Sequence, residues 1–425
     1  MPAAHIAIWS IAGLSILLML LHPRDLPEAW WIGIGAAAFV AFRLIPLPLA
    51  SRAIAEGTDV YLFLAGMMLL AELAQRHGVF NWLAAVAVEH ARGSRARLFS
   101  LIYMVGTFVT VFLSNDATAV VLTPAVLAAT RRSKVNPLPY LFVCAFIANA
   151  SSFVLPISNP ANLVVFRNGM PPLADWLRIF LVASLLSIAA TYLALRWYCR
   201  KDLAGSIESA GETPHLPQAG KLTLAGIALV AAVLLTASAL GKDLGLPTAI
   251  SAALIALAIS IRERTQPAAI LSEISTLLSE ISWSVLPLVA GLFIMVEAIN
   301  TAGALELSRA ALQTVQRLPP VAGTLAAAFG TGVGANLVNN LPLGLIAGGS
   351  IHAAHLTGAL RNVILVGIDL GPNLSVTGSL ATILWLIAIR KQGLNVSAWK
   401  FLKAGCIVMP PALALAAIAV AIFSR

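Results

Sequence analysis

Charge is scarce in this sequence. Asp, Glu, Lys and Arg together supply 11% of its 425 residues, while 59% are hydrophobic. A soluble chain of this length carries about a quarter charged residues. Cysteine is scarce as well: Cys144, Cys199 and Cys406 stand far apart, with no CxxC or Cys/His zinc spacing. Three isolated thiols argue against a disulfide framework. There is no phosphate-binding loop, no HExxH and no nucleophile elbow, so nothing points to ATP hydrolysis within the chain or to a cofactor. No basic run is interleaved with aromatics, so the net charge of +9 is not a nucleic-acid footprint. The opening residues MPAAHIAIWS lack the basic segment of a secretory signal. The first apolar run is therefore expected to be a retained helix.

What is present is a succession of apolar runs near the length that crosses a bilayer as a helix. Spans are expected at 3–21, 28–48, 58–75, 139–166 and 174–198, then at 221–240, 246–261, 283–300, 359–389 and 398–423. Two further apolar stretches are interrupted: 98–130 at Ser114-Asn115-Asp116 and 320–355 at Asn339-Asn340-Leu341-Pro342. Each reads as a re-entrant hairpin. Two spans are broken near their middles, at 156–160 (PISNP) and 375–379 (SVTGS). Open backbone at that depth is tolerated only where protein or water surrounds it.

The chain is also written twice. Gly66, Glu72, Gly78 and Asn115 recur, 225 residues on, as Gly291, Glu297, Gly303 and Asn340. The segment 156–166 aligns with 376–386 at an offset of 220. The expected fold is therefore an all-α polytopic membrane protein of two repeats, 1–200 and 221–425, joined by the polar linker 201–220. Each repeat has about five spans, a hairpin and a broken helix. Interrupted helices in matching positions of two halves are the sequence mark of a transport site.

Five spans per half invert the second half. Positive charge agrees. One set of loops carries Arg24, Arg76, Arg92, Arg95, Arg97, Arg131, Arg132, Lys134, Arg200, Lys201, Lys221, Arg262, Arg264, Arg390 and Lys391. The opposite set has only Arg43, Arg52, Arg167, Lys242, Arg309, Arg317, Arg361 and Arg425. The first face is then cytoplasmic, both termini are external, and the amphipathic stretch 79–92 lies along the cytoplasmic interface.

Several polar residues carry the chemistry. Asp116 precedes an apolar helix. An ionised carboxylate in a membrane segment costs about 2.5–3.5 kcal/mol on insertion scales, so it needs a partner, water or a proton. The free N–H groups at a helix start would help it; ordinary helix capping is the other reading. Asp369 precedes the second break and is surrounded in sequence by Gly371, Gly378, Ser375, Thr377 and Ser379. It is either a site acid or a cap on the break. Asn149 takes its place in the first half. Glu72 and Glu297 are repeat mates, either proton carriers or braces for broken-helix backbone. His352, with His355, is a proton shuttle or an interfacial residue.

The motifs at 113–126 (LSNDATAVVLTPAV), 336–348 (NLVNNLPLGLIAG) and 367–386 (GIDLGPNLSVTGSLATILWL) resemble the arsenical pump membrane proteins, within the larger ion transporter superfamily. The resemblance covers essentially the whole chain. It implies an outer scaffold, an inner transport part carrying both hairpins, and a bacterial inner-membrane location. It implies export of arsenite and antimonite in exchange for protons; some members work with a soluble arsenite-stimulated ATPase. Related dicarboxylate carriers place Ser-Asn-Thr at both hairpin tips. Here the tips read Ser114-Asn115-Asp116 and Asn339-Asn340-Leu341, which disfavours an anion site.

Arsenious acid is a small neutral trihydroxide, so the membrane potential acts on it only through a coupled charge. The expected substrate contacts are Asn115, Asp116, Asn339, Asn340, Asn159, Thr377 and Ser379, with Asp116 and Asp369 as proton carriers. With no clustered thiols, the metalloid would be held through its hydroxyls. Rival cargoes on the same fold are silicic acid, sodium against protons, and dicarboxylates. The charge bias predicts that tags at both termini are labelled from outside intact cells and a tag in the 201–220 linker is not. Protection of the termini overturns the five-plus-five arrangement.

Overall fold

The computed structural model describes residues 3–21, 26–167, 169–207, 215–263 and 267–424. Arg24, Arg264, Arg425 and part of the expected linker, 208–214, lie outside the described residues.

The first half consists of α1 (Ala3–Leu21), α2 (Glu28–Ala41), α3 (Leu47–Glu56), α4 (Thr58–Arg76), α5 (Val79–His90), α6 (Arg95–Phe112), the single turn α7 (Asn115–Ala117), α8 (Thr123–Arg132), α9 (Leu138–Ala150), α10 (Pro160–Val165) and α11 (Leu173–Tyr198). The second consists of α12 (Gln218–Ala239), α13 (Gly245–Glu263), α14 (Pro267–Glu280), α15 (Val285–Thr301), α16 (Ala304–Gln316), α17 (Pro320–Val338), α18 (Asn340–Ala353), α19 (Gly358–Leu370), α20 (Leu380–Lys391) and α21 (Ala398–Phe423). The described residues form no named strand. The two halves follow the same order, with α7 and α8 answering to α18.

Eight helices among the described residues are long and apolar enough to cross a membrane: α1, α4, α6, α11, α12, α13, α17 and α21. A ninth comes from α14 and α15, bent by 45° at their junction. The expected 28–48 span instead stops at Ala41, and α3 restarts after Pro46, which disfavours a helical residue before it. The amphipathic helices α14 and α16 had no counterpart in the span count, because their polar faces interrupt the apolar run. Segment 79–92 is helical as α5, and it buries Val79, Phe80, Ala84, Ala87 and Val88 against its neighbours.

Local chemistry explains the interruptions. Pro124 removes the N–H that would bond to Val120, and a π turn over Thr118–Leu122 precedes α8. Thr118 is tied there by a 2.8 Å hydroxyl contact with Thr110. Gly78 (φ +73°) and Gly303 (φ +98°) occupy the left-handed region ahead of α5 and α16, which explains why both recur at the repeat offset.

Long-range polar contacts join loops to one another in pairs. Arg131 reaches the Gln392 carbonyl, Arg95 reaches the carbonyls of Ala204 and Ser206, and Arg76 pairs with Glu280. Likewise Arg361 reaches the Gly169 carbonyl, Arg167 pairs with Glu56, and Arg309 reaches the Ala353 carbonyl.

Packing exchanges elements between the halves. In the first half α4 lies against α13 of the second, and α15 of the second lies against α2 of the first. Gly66 faces the Thr248 backbone, and a Cβ there would sit 2.8 Å from it; a Cβ on its repeat mate Gly291 would sit 2.8 Å from Ile32. Lipid gives helices little hydrophobic reason to associate, so close approach at small residues supplies the attraction. α9 is buried almost completely, and its Phe142 and Phe146 pack on Trp385 of α20 and Phe401 of α21. Gly66→Ala and Gly291→Ala should each cost about 1–3 kcal/mol through overpacking. Gly33→Ala, which meets nothing within 4 Å, should be neutral. Thermal unfolding in detergent checks this; unchanged midpoints in the first two variants would disprove the close contacts.

Candidate functional site

The two breaks lie side by side and are stitched to each other. Asn149, in the last turn of α9, accepts from Ser379 Oγ at 3.1 Å. Its Nδ2 donates to Asn373 Oδ1 at 3.1 Å and Thr382 Oγ1 at 3.2 Å. Asp369, in the last turn of α19, accepts at Oδ1 from Asn159 Nδ2 at 2.9 Å. Asn149 and Asp369 are repeat mates, as are Asn159 and Ser379. The same pair is thus made twice, each time between one half and the other. Asn159 and Ser379 also cap the helices that restart after the breaks, through Ala161 N and Thr382 N.

Each hairpin is stitched to the break of its own half. Ser158 Oγ donates to the Val111 carbonyl at 3.0 Å, and Thr377 Oγ1 donates to the Asn336 carbonyl at 2.9 Å. At the second tip, Asn339 Nδ2 donates to the Thr377 carbonyl at 3.2 Å and Asn340 N to the Gly378 carbonyl at 2.9 Å. Asn339 holds φ +74° and ψ 152°, a region nearly reserved for glycine. Such a conformation costs on the order of 1–3 kcal/mol and persists only because the tip is docked.

The expected site residues therefore divide by task. Asn149, Asn159, Thr377, Ser379 and Asn339 spend their side chains on holding the breaks and the tip. Three buried acceptors keep a free oxygen: Asn115 Oδ1, Asn340 Oδ1 and Asp369 Oδ2 have no partner among the described residues. Asp116 follows Asn115 and faces a cavity of about 670 Å³. Ser114, Ala117, Val120, Pro160 and Leu384 form its wall on the side of the breaks; Met67, Met68, Glu72, Gln75, Arg76 and Glu280 form the scaffold side.

Glu72 lines this cavity, within electrostatic reach of Glu280 and Arg76. Its repeat mate Glu297 is half-buried in α15 and is not among the cavity-lining residues. His352 is exposed and borders, with His355 and Arg361, a separate recess of about 230 Å³. Cys144 and Cys199 are buried and Cys406 is exposed, and none lines the cavity.

Sequence reasoning passed over Asn336 and Asn373. Asn336 donates to the carbonyls of Gly332 (2.7 Å) and Gly371 (2.8 Å), and accepts from Ser375 N and Oγ. Asn373 Nδ2 donates to the Phe146 carbonyl at 3.0 Å. Both stand inside the quoted motifs, so an amide in an apolar run was the available signal. Glu280 had no such signal, because 262–282 reads as a loop.

Removing Ser379 Oγ leaves Asn149 Oδ1 buried and unpaired, at a cost of about 1–3 kcal/mol. Asn149→Ala should cost less in a Ser379→Ala background than in the wild type, with a coupling of about 0.5–3 kcal/mol. A double-mutant cycle on unfolding measures it. Additive costs would show that the cross-half pair does not stabilise the fold.

Comparison with known proteins agrees with this architecture. The citrate transporter (CitMHS) family matches residues 16–367. The chain is 26% identical over 429 residues to the arsenical pump membrane protein of Yersinia enterocolitica, covering 95% of each. It is 25% identical over 411 residues to that of Escherichia coli strain K12, covering 94% of each. An uncharacterized transporter of Mycobacterium bovis is 26% identical over 383 residues, with 85% of each chain covered. Among solved structures, the YdaH transporter of Alcanivorax borkumensis, described as having an unusual topology, superposes with a TM-score of 0.56 at 12% identity. That match covers 99% of this chain and 98% of YdaH, and it supports the fold. The chain is a membrane transporter and belongs to the citrate transporter (CitMHS) family.

Proposed function

We propose that the protein exports trivalent metalloid hydroxides, arsenite and antimonite, in exchange for protons. The observation that carries this reading is Asp116. It makes no hydrogen bond or ion pair among the described residues, and it faces a cavity large enough for a small trihydroxide and water. Asp116, Glu72 and Glu280 line that cavity against one guanidinium, Arg76. Such a wall repels a citrate trianion and suits a neutral hydroxylated cargo with a proton. The relatives named as arsenical pumps favour the same cargo.

In this reading the second half is inverted, both hairpins are re-entrant, and the Arg76 end of the cavity opens to the cytoplasm. The substrate hydroxyls bond to Asp116, Asn115 and Asn340. Asp369, held by Asn159 behind Pro160, is the second proton carrier. One proton moving inward per cycle is worth about 2.3 kcal/mol per 100 mV, which is enough to drive a neutral solute uphill.

Everted vesicles test this. Asp116→Asn and Asp369→Asn keep the size of the side chain but remove the titratable group. At least one should bind arsenite yet fail to accumulate it, and Asn115→Ala should weaken binding. Wild-type proton-driven accumulation in both Asp variants overturns the assignment of the carrier. Downhill flux that persists undiminished when the proton gradient is collapsed would indicate a channel. Transport of silicic acid, sodium or a dicarboxylate in place of arsenite would reassign the cargo.

A further inference from the structure

At the end of α4, beyond the cavity, three ligand-type side chains meet. His77 caps α4, Glu263 closes α13 and Glu273 lies in α14. One ligand atom from each lies within 4.8 Å of the others. Their arrangement differs from that of a surface ion pair. His77 Nδ1 is 2.8 Å from Thr223 Oγ1. That hydroxyl gives its only hydrogen to the Ala219 carbonyl, 2.9 Å away. Toward the imidazole it is therefore an acceptor, so a ring hydrogen sits on Nδ1, and in the neutral ring the lone pair is on Nε2.

Nε2 is buried without a hydrogen-bond partner, on a side chain only 8% exposed. It points at Glu263 Oε2, 3.4 Å away. Glu273, 9% exposed, stands alongside. The imidazole and Glu273 are buried and Glu263 closes the corner from its exposed side, an arrangement that a cation would satisfy. A histidine oriented through its other nitrogen, with Nε2 presented to carboxylates, is how proteins prepare an imidazole for a metal.

We infer that His77, Glu263 and Glu273 form a binding site for a divalent transition-metal ion of the zinc class. One imidazole and two carboxylates suit a borderline ion, with water completing the coordination. Among the described residues, Arg76 and Glu280 also face the corner. Arg76 Nε is 4.0 Å from Glu273 Oε1, and Arg76 NH1 is 3.6 Å from Glu280 Oε2. A bound cation competes with Arg76 for Glu273 and leaves Arg76 to Glu280, which lines the cavity. The site ties α4 of the first half to α13 and α14 of the second at the cavity mouth. It is independent of the cargo proposed above.

The test uses the full chain in detergent with Cys406→Ser, which removes the exposed thiol. After chelator treatment, equilibrium dialysis against Zn²⁺ alone and elemental analysis should give one zinc per chain. His77→Ala should abolish binding. Glu263→Gln, Glu273→Gln and Thr223→Val should each weaken it about 10–100-fold, the last by releasing the imidazole from its orientation. Zinc should raise the thermal midpoint of the parent protein but not of these variants. If His77→Ala does not fold, Glu263→Gln at the exposed end of α13 carries the test. Less than one zinc per chain, or binding unchanged in Glu263→Gln, overturns the site.

Discussion

A helix that breaks inside a bilayer leaves N–H and C=O groups that lipid cannot satisfy, and the rest of this structure depends on how that debt of hydrogen bonds is met. Both breaks are met in the same way. An amide or acid at the end of one half's broken helix bonds the residue that caps the restarted helix of the other half: Asn149 with Ser379, Asp369 with Asn159. Neither break is complete without its counterpart. The hairpins then dock on the breaks through Ser158, Thr377 and Asn339, and strain at Asn339 is tolerable because that docking holds it.

The outer helices interlock by a different force. Gly66 and Gly291 bring α4 onto α13 and α15 onto α2, so each half supplies a helix to the other. The repeat thus preserves two kinds of residue for two reasons. Glycines recur because backbones must touch or turn. Polar residues recur because breaks must be bonded. Asn115 and Asn340 fit neither reason fully, since each retains a buried oxygen without a partner.

The cavity sits where these two constructions face each other. Its scaffold wall carries Glu72, Arg76 and Glu280, and its other wall carries Ser114 and Asp116 just ahead of the π turn. Pro124 lies just after the π turn and withholds an N–H there, and π turns occur frequently at functional sites.

The sequence by itself determined the class of protein, the two halves, the interruptions and the identity of the acids beside them. Those features are set by apolar run length, by Gly and Pro, and by the cost of a polar residue in lipid, all of which are local. It also marked Asn149, Asn159, Ser379 and Asp369 as important, without saying that they bond one another. Only the tertiary structure decided that, because pairs 210 and 230 residues apart follow from how the halves cross. It alone separated Glu72, which lines the cavity, from its repeat mate Glu297. It brought in Glu280 from a segment that reads as a loop, since the amphipathic α14 breaks up its apolar face in the linear pattern. Composition and period report what each residue must bury; which partner covers it is settled when two halves of the same design fold against each other.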